Sequence, residues 1–369
     1  MAHVPERRNR TAHRLQRSCA GMWGSHIMEE MSPSVWYKVE QLTWPADWAS
    51  LFGRDAPLVV EIGFGSGLFL VDLAQRLPQA NILGLEISIP SLRNAGRKVE
   101  RLGLANVRLM QADARSALQV LCQSSTVDGV YINYPDPWPK KDHAGRRLIS
   151  GDFLSLLASR LKAGAHLDIA TDHDDYAEQI TVSLENSPYF HSRTMSSFER
   201  QDDGRIQTKY EQVALREGRM PRYYKWQRNE LPSSESYPIP KELAMPHVVF
   251  RLPATIEEIG CKFRPRVANV ESTRIRFVEA YQSLHDGKLL IETYISEGPI
   301  MQRIGLELRS RPSGEIVISL AEVGFPRPTQ GVHQAIANLV GWLRAEYPSL
   351  VIVSTTLQGD HADAPHKRN

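Results

Sequence analysis

The sequence is poor in cysteine and in long apolar stretches. Its 369 residues include 3 cysteines, at Cys19, Cys122 and Cys261, and no two of them form a CxxC pair. Such a set cannot build a disulfide framework and lacks the paired spacing of structural zinc sites, so we predict no metal and a reducing compartment. No apolar stretch reaches the roughly 20 residues that span a bilayer, and no signal-peptide segment follows the N-terminal arginines. We therefore expect a cytoplasmic protein without a membrane partner.

A large excess of either charge is also missing. There are 44 Lys and Arg against 42 Asp and Glu, so the formal net charge is only +2. A nucleic-acid partner would have to be bound by local clusters of cations. The hydrophobic fraction of 42% is ordinary for a globular protein, and 369 residues exceed one typical domain. We predict two domains.

The segment on which the rest of the interpretation depends runs from residue 58 to residue 70. A short apolar run, Leu58-Val59-Val60, is followed at once by three glycines, at positions 63, 65 and 67. This pattern predicts a buried strand that turns sharply into a helix, with backbone N–H groups open to a ligand. The dinucleotide pattern G-x-G-x-x-G would need glycine at position 68, which is Leu68. We predict cofactor binding by Gly63, Gly65 and Gly67.

Two acids indicate which cofactor this is. Glu61 comes just before the glycines, where it would repel a pyrophosphate but would suit a cationic amino group, as in S-adenosyl-L-methionine. Glu86 lies 19 residues after Gly67, at the end of a second apolar run, and can accept hydrogen bonds from both ribose hydroxyls. Glu61 and Leu68 together disfavour an NAD-dependent oxidoreductase.

Apolar runs recur along the chain, and each ends on an acid. The acids are Glu61, Glu86, Asp113, Asp136 and Asp172, with separations of 25, 27, 23 and 36 residues. Each interval fits a strand, a helix and two turns, which predicts an α/β fold with a Rossmann-like doubly wound sheet. The carboxyl ends of parallel strands lie at one edge, so the five acids should form a site. Helices are predicted between the runs, at residues 70–77, 90–103, 115–121, 153–161 and 176–184.

A proline-rich loop follows the fourth run. Pro135, Pro137 and Pro139 fix the backbone and should hold Asp136 and Trp138 rigidly at the strand end. Similar proline–aromatic loops hold the target base in amino-methylating enzymes. The next eight residues supply four cations that could meet phosphates, with a solvated charged loop as the alternative. These cations are Lys140, Lys141, Arg146 and Arg147.

These motifs together resemble the bacterial tRNA (guanine-N7)-methyltransferase family, over about residues 35–228. The residues that carry the resemblance are Glu61-Ile62-Gly63-Phe64-Gly65-Ser66-Gly67, Gly84-Leu85-Glu86, Pro135-Asp136-Pro137-Trp138-Pro139-Lys140-Lys141, Thr171-Asp172 and Thr208-Lys209-Tyr210-Glu211. The resemblance implies a class I S-adenosylmethionine-dependent methyltransferase that acts on the guanine at position 46, in the variable loop of tRNA. After the lysines the family usually has more Arg, His and Lys, whereas this chain has Asp142, Ala144 and Gly145.

The resemblance also implies roles for single residues. The cofactor would be contacted by Glu61, Glu86, Asp113 and Asp136, and Asp136 would be the catalytic residue. The tRNA would be contacted by Lys140, Asp172, Thr208, Lys209, Tyr210 and Glu211. Guanine N7 carries a lone pair and no proton, so attack on the methyl group needs alignment and no general base. Asp136 and Asp172 would hold the base edge through N1–H and the exocyclic amine.

The chain divides into five predicted segments. These are a basic, disordered arm at 1–34, a methyltransferase domain at 35–230, a Pro/Ser linker at 231–240, an α+β accessory domain at 241–358 and a disordered tail at 359–369. Met28 or Met31 is an alternative start. Within the first domain, residues 213–215 are predicted as a late strand that begins after Thr208. In the second, strands are predicted at 247–251, 274–282, 288–296, 301–309, 315–320 and 350–354, with one covering helix at 332–343.

The second domain lies outside the resemblance, and its role stays open. From residue 236 onward there are 15 Lys and Arg against 14 Asp and Glu, so it lacks a general basic surface. Its local cationic cluster consists of Lys262, Arg264, Arg266, Arg274 and Arg276. It could grip tRNA, form a homodimer or only pack. For the whole chain, the alternatives are a methyltransferase for an exocyclic amine or a protein side chain, and a catalytically silent RNA-binding protein.

Overall fold

The computed structural model of this protein describes residues 35–358, apart from residues 235 and 324. The predictions for the arm at 1–34 and the tail at 359–369 lie outside the described residues. The described chain forms two β-sheets, one of eight strands and one of seven, with helices packed on each. None of the helices in the described part is both long enough and apolar enough to cross a membrane.

The first sheet contains strands from residues 36 to 228. In chain order its strands are β1 (Trp36–Lys38), β2 (Leu58–Ile62), β3 (Asn81–Glu86), β4 (Val107–Gln111), β5 (Val127–Asn133), β6 (Leu161–Thr171), β7 (Phe190–Ser192) and β8 (Arg222–Arg228). The helices are α1 (Trp48–Phe52), α2 (Leu68–Arg76), α3 (Ile89–Arg101), α4 (Ala114–Leu121), α5 (Gly151–Arg160), α6 (Asp174–Glu185) and α7 (Lys209–Arg216).

The order of strands across this sheet is β1-β4-β3-β2-β5-β6-β8-β7. The strands from β1 to β6 in this order are parallel, and β8 and β7 add antiparallel pairs at one side. All five residues of β2 are buried, which explains its unbroken apolar start. The chain builds outward from β2 through β3 and β4, then reverses through β5 and β6. The sheet is therefore doubly wound, as predicted, and its switch point lies between β2 and β5.

The predicted helices of the first sheet are confirmed, but the late strand is wrong. Residues 213–215 lie inside helix α7, and the antiparallel strand is β8. Thr208 is the N-cap of α7, because its hydroxyl accepts a hydrogen bond of 3.2 Å from the backbone N–H of Glu211. A capping threonine followed three residues later by an acid is typical of a helix start, and this signal outweighs a three-residue apolar run.

The second sheet is antiparallel, with the order β10-β11-β12-β13-β14-β9-β15. Its strands are β9 (His247–Arg251), β10 (Arg266–Val270), β11 (Thr273–Gln282), β12 (Leu289–Glu297), β13 (Ile300–Ser310), β14 (Ile316–Leu320) and β15 (Val351–Thr355). Helices α8 (Ile256–Lys262) and α9 (Gln330–Glu346) pack on it. The six predicted strands and the long helix are confirmed. Strand β10 and helix α8 were not predicted, so the single covering helix is wrong.

The segment between the two sheets is docked on the first of them. The carbonyl of Tyr237 accepts a hydrogen bond from Arg160, and its hydroxyl donates one of 3.1 Å to the carbonyl of Asp152. Ile300 at the start of β13 packs into the core of the first sheet, and Arg327, between β14 and α9, donates to the carbonyls of Glu40 and Leu42. The two sheets are therefore in direct contact.

Candidate functional site

The glycine loop between β2 and α2 is held in shape from both sides. The N–H of Gly63 donates to the carbonyl of Leu85 at 2.8 Å, and the N–H of Gly65 donates to the Glu86 carboxylate at 2.9 Å. Gly67 caps α2 with φ of 72°, and a Cβ there would lie 2.6 Å from the Cβ of Ala95 on α3. This contact and the left-handed backbone together favour glycine over every other residue at position 67.

Glu86 has a role in the loop that the sequence did not predict. One carboxylate oxygen accepts from the N–H of Gly65, and the other accepts from the N–H groups of Ile87 and Ser88 at 2.9 and 3.0 Å. Glu86 therefore ties the end of β3 to the glycine loop. Its predicted contact with ribose hydroxyls would be an addition to this structural role.

Glu61 is the acid at the centre of the site. Its side chain is 1% exposed at the end of β2, and its Oε1 accepts a hydrogen bond of 3.2 Å from Asn133. The other oxygen, Oε2, is buried and has no hydrogen-bond partner. Burial raises the pKa of Glu61 to about 8, against the opposing effects of the Asn133 hydrogen bond and Arg205. A buried carboxylate with one open oxygen fits a cationic amino group, as S-adenosyl-L-methionine would supply.

Two further residues of the site were missed. Asn133 ends β5 beside Glu61, and its Oδ1 accepts a hydrogen bond of 2.7 Å from Arg205. The Arg205 guanidinium also lies 4.8 Å from the ring centre of Phe69 and 5.3 Å from that of Tyr223. Asn133 could have been identified from the sequence, because it is a polar residue at the carboxyl end of a buried strand. The irregular segment around Arg205 carries no comparable signal.

The start of helix α7 lies over the glycine loop. Tyr210 is 60% exposed, and one of its ring carbons would lie 3.5 Å from a Cβ built on Gly65. Thr208, Lys209 and Tyr210 line a cavity of about 20 Å³ together with Glu61 and other residues of the loop. The structure thus brings the residues predicted for tRNA against those predicted for the cofactor. Small-molecule sites are typically larger than about 300 Å³, so the start of α7 narrows the space beside the glycine loop.

Glu211, the last residue of that motif, is placed differently. Its side chain is 3% exposed, and its Oε1 accepts a hydrogen bond of 2.7 Å from the hydroxyl of Tyr223 on β8. The other oxygen, Oε2, is buried without a hydrogen-bond partner. Glu211 therefore connects α7 to the sheet through one oxygen, while its other oxygen has no hydrogen-bond partner.

The proline-rich loop divides its charged residues between solvent and core. Asp136, Lys140 and Arg146 are exposed, and the Arg146 guanidinium lies 5.0 Å from the ring centre of Trp138. Arg147 is buried, and its Nε donates to the carbonyl of Pro137 at 2.7 Å. Arg147 therefore holds the loop from inside, and its expected place among four phosphate-binding cations is wrong. The loop also needs left-handed backbone at Trp138, with φ of 42°.

The two remaining acids lie at strand ends, as predicted, with different partners. Asp172 follows β6 and forms an ion pair with Arg219, just beyond α7. Asp113 follows β4 and caps α4 by accepting a hydrogen bond of 3.0 Å from the N–H of Ser116. Among the side chains that the structure describes, no group of three or more His, Cys, Asp and Glu could hold a metal ion.

Known proteins resemble this chain to different extents. A family model described as a putative methyltransferase matches residues 55–222. A tRNA (guanine-N(7)-)-methyltransferase of Nitrosospira multiformis is 42% identical over 47% of this chain and 75% of its own. Among solved structures, TrmN from Thermus thermophilus has a TM-score of 0.36 and 20% identity over 49% of this chain and 46% of its own, too low to support an argument.

Two relatives match a larger part of the chain. Proteins named tRNA (guanine-N(7)-)-methyltransferase from Thermotoga maritima and Thermus thermophilus are 33% and 32% identical, each over 82% of this chain and 94% of its own. Only 246 of the 369 residues precede the second sheet, so these matches include part of it. At this identity and coverage, the chain belongs to the bacterial tRNA (guanine-N(7)-)-methyltransferase family.

Proposed function

We propose that this protein transfers a methyl group from S-adenosyl-L-methionine to N7 of guanine in tRNA, at position 46 of the variable loop. The observation that carries the proposal is the open carboxylate oxygen of Glu61, buried at the end of β2 beside the glycine loop. A cationic amino group would bind the ionised form of this carboxyl, whereas Glu61 offers a pyrophosphate no cation to pair with. The names of the relatives supply the reaction and the substrate.

Methyl transfer to guanine N7 requires no general base from the protein. The bound cofactor supplies an electrophilic methyl group on a sulfonium, and guanine N7 attacks with its lone pair. No proton has to be removed, so the residues need only align the base and stabilise the charge that develops on it. Asp136 is suited to this because it is exposed on a loop fixed by three prolines and by Arg147.

Asp172 would complete the base pocket from the neighbouring strand. A carboxylate can accept hydrogen bonds from the N1–H and the exocyclic amine of guanine, and it favours a base that becomes cationic on methylation. In this structure Asp172 is paired with Arg219, so guanine would have to exchange with, or add to, that partner. Thr208 and the open oxygen of Glu211 lie on α7, which is positioned to close the same pocket.

The tRNA contacts would come from cations that remain in solvent. Lys140 and Arg146 are exposed on the proline-rich loop, and Lys209 is exposed at the start of α7. All three belong to elements that follow strand ends at the carboxyl edge of the sheet. Their ammonium and guanidinium groups can neutralise phosphates on either side of the variable loop.

A product map tests this function directly. The protein would be incubated with bulk tRNA and methyl-labelled cofactor, and the tRNA would then be digested to nucleosides. We expect the label in 7-methylguanosine, and mapping of the modified strand should place it at position 46. Label on an exocyclic amine, or in protein and not in RNA, would contradict the proposal.

We further propose that residues 35–230 and 241–358 are two domains, that the protein acts in the cytoplasm, and that it forms a homodimer through the second domain. Separate apolar cores under the two sheets support the division. Sedimentation of the full chain and of a variant that ends at residue 240 tests the dimer. A monomeric full chain would contradict it.

A further inference from the structure

The second sheet contains a cavity that the proposed reaction does not use. The edge strands β10 and β15 are at opposite ends of the strand order, yet both line this cavity with helix α9. The sheet therefore curls around α9 until its two edges face one space. Its volume is about 570 Å³, within the range of about 300–1,000 Å³ typical of small-molecule sites. Its walls include Arg266, Gln334, Asn338, Trp342, Ile352 and Thr355.

Arg266 provides two unused donors at this cavity. Its Nε and Nη2 are both buried and have no hydrogen-bond partner. These two N–H groups form one edge of the guanidinium, the edge that binds two oxygens of a carboxylate or a phosphate at once. Burial lowers the pKa of Arg266 to about 10, and the nearby Glu346 opposes this change, so the side chain stays charged at neutral pH.

Aromatic rings fix the position of this guanidinium. Its central carbon lies 4.5 Å from the ring centre of Trp342, 5.1 Å from that of Phe277 and 6.0 Å from that of Phe263. The arginine is thus held by cation–π contacts, which leave its buried Nε and Nη2 N–H groups without a hydrogen-bond partner. A site of this kind needs little ordering when a ligand binds.

Gln334 adds an unused acceptor. Its side chain is 3% exposed, and it lines the cavity from α9. The amide nitrogen donates to Glu271 at 3.4 Å, whereas Oε1 is buried without a partner. Buried polar groups without a partner are uncommon in native proteins, and here an acceptor and a two-donor edge line the same space. A ligand that satisfies both must carry an anionic group and a hydrogen-bond donor.

We propose that this cavity is a second binding site, for an organic phosphate whose hydroxyl or N–H groups reach Gln334. The phosphate oxygens bind the Nε and Nη2 edge of Arg266, and the organic part lies against Val248, Val340 and Ile352. A nucleotide has this chemistry. It could come from the free nucleotide pool or from an RNA chain.

Calorimetric titration of the full-length protein with cytidine 5′-monophosphate tests the site. Saturating S-adenosylhomocysteine keeps the first site occupied. We expect saturable binding that falls at least tenfold in Arg266→Gln. The matched control is Arg264→Gln, an exposed arginine two residues away that donates to the carbonyls of Cys261 and Phe263, and it should bind normally.

A second variant keeps the test valid if Arg266→Gln fails to fold. Gly341 lines the cavity on α9, and a Cβ there would meet nothing within 4 Å. Gly341→Leu should therefore fold, fill the space and lose binding with Arg266 intact. Absence of binding to the wild type, or equal binding to wild type, Arg266→Gln and Gly341→Leu, would overturn the proposal.

A competition experiment then identifies the source of the phosphate. If tRNA displaces the mononucleotide from the wild type, and Gly341→Leu also weakens tRNA binding, the bound phosphate belongs to an RNA chain. If tRNA leaves the mononucleotide in place, the ligand is a free nucleotide. Both results support the site, and they separate its two sources.

Discussion

At the scale of single residues, Glu61 links protonation to cofactor binding. Because its pKa is about 8, the Glu61 carboxyl is protonated in most molecules of the free protein at neutral pH. A cationic amino group, however, binds the ionised carboxylate. Binding must then release a proton. We expect affinity for S-adenosyl-L-methionine to rise by up to about tenfold per pH unit between roughly pH 6 and 8, where the α-amino group itself begins to deprotonate.

Calorimetry at several pH values measures this dependence. Glu61→Gln should bind more weakly and should lose most of the pH dependence, whereas Asp175→Asn, an exposed acid at the start of α6, should behave as the wild type. An affinity of the wild type that is constant over this range would contradict the prediction.

The same raised pKa predicts how stability depends on pH. Between about pH 4.5 and 8, Glu61 is ionised in the unfolded chain but protonated in the folded one. The folded state therefore binds more protons, and the free energy of unfolding from this group falls as pH rises through that window. Urea unfolding of the cofactor-free protein at pH 5 and pH 8 measures the fall, which should be smaller in Glu61→Gln. A fall of equal size in the variant would assign it to other groups.

Asp136 and Lys140 should separate catalysis from RNA binding. Asp136→Ala should abolish methyl transfer in a folded protein, because its carboxylate is the exposed acid that the proline-rich loop holds at the strand end. Lys140→Ala should instead weaken tRNA binding and lower the slope of log affinity against log salt by about 1, without changing cofactor affinity. Single-turnover rates and tRNA affinities distinguish the two. Near-normal methylation by Asp136→Ala would mean that the loop is only scaffold.

The acids of the site could be predicted from the sequence, but their network could not. Glu61 and Glu86 follow short apolar runs, so their position at the strand ends could be predicted from the sequence. Asn133 and Arg205 complete the contacts around Glu61, but one is uncharged and the other lies in an irregular segment. Arg147 carries a charge like its neighbours in sequence, and only the three-dimensional packing shows that it is buried.

At the scale of elements, the contact between α2 and α3 depends on Gly67. Gly67→Ala adds a Cβ at 2.6 Å from that of Ala95 and also strains a left-handed backbone. Gly103→Ala is the matched control, because its φ is +61° and a Cβ there meets nothing. We expect backbone strain to lower the free energy of unfolding of both variants by about 1 kcal/mol. Overpacking should lower that of Gly67→Ala by a further ~1–3 kcal/mol.

Thermal or urea unfolding measures the difference, and cofactor affinity should fall only in Gly67→Ala. Combining it with Ala95→Gly removes the opposing Cβ and should restore part of the loss. Equal destabilisation by Gly67→Ala and Gly103→Ala would show that α3 moves away at little cost.

Elements were predicted best where their pattern was long. The six predicted strands of the second sheet follow runs of five or more residues, and α9 follows a repeat over several turns. The error at α7 came from a run of three apolar residues, too short to separate a strand from a helix. Strand β10 was missed because it alternates half-buried with exposed residues and has no fully buried face.

At the scale of the whole molecule, the docked segment between the sheets predicts where the chain can be cut. Arg160 is 2% exposed and donates to the carbonyl of Tyr237. A fragment of residues 31–234 loses this acceptor, whereas residues 31–240 keep it. A hydrogen bond from a charged group contributes about 1.5–3 kcal/mol, so the shorter fragment should be less stable by up to that amount.

Both fragments should bind S-adenosyl-L-methionine, because every acid of the site precedes residue 234. Both should also be less stable than the full chain, since they lack the contacts that Ile300 and Arg327 make with the first sheet and its N-terminal segment. Urea unfolding and cofactor titration of the two fragments test this. If neither fragment folds, the first sheet depends on the second for its core.

The position of α7 over the glycine loop also bears on the rates of cofactor binding and product release. If cofactor uptake requires the helix start to swing away, the apparent dissociation constant is the intrinsic one divided by the open fraction. In rapid mixing, the observed rate should level off at the opening rate as cofactor concentration increases. The demethylated product would then leave by the same opening. Where that opening is slower than methyl transfer, the hinge of one short helix decides how many tRNAs each molecule modifies per second.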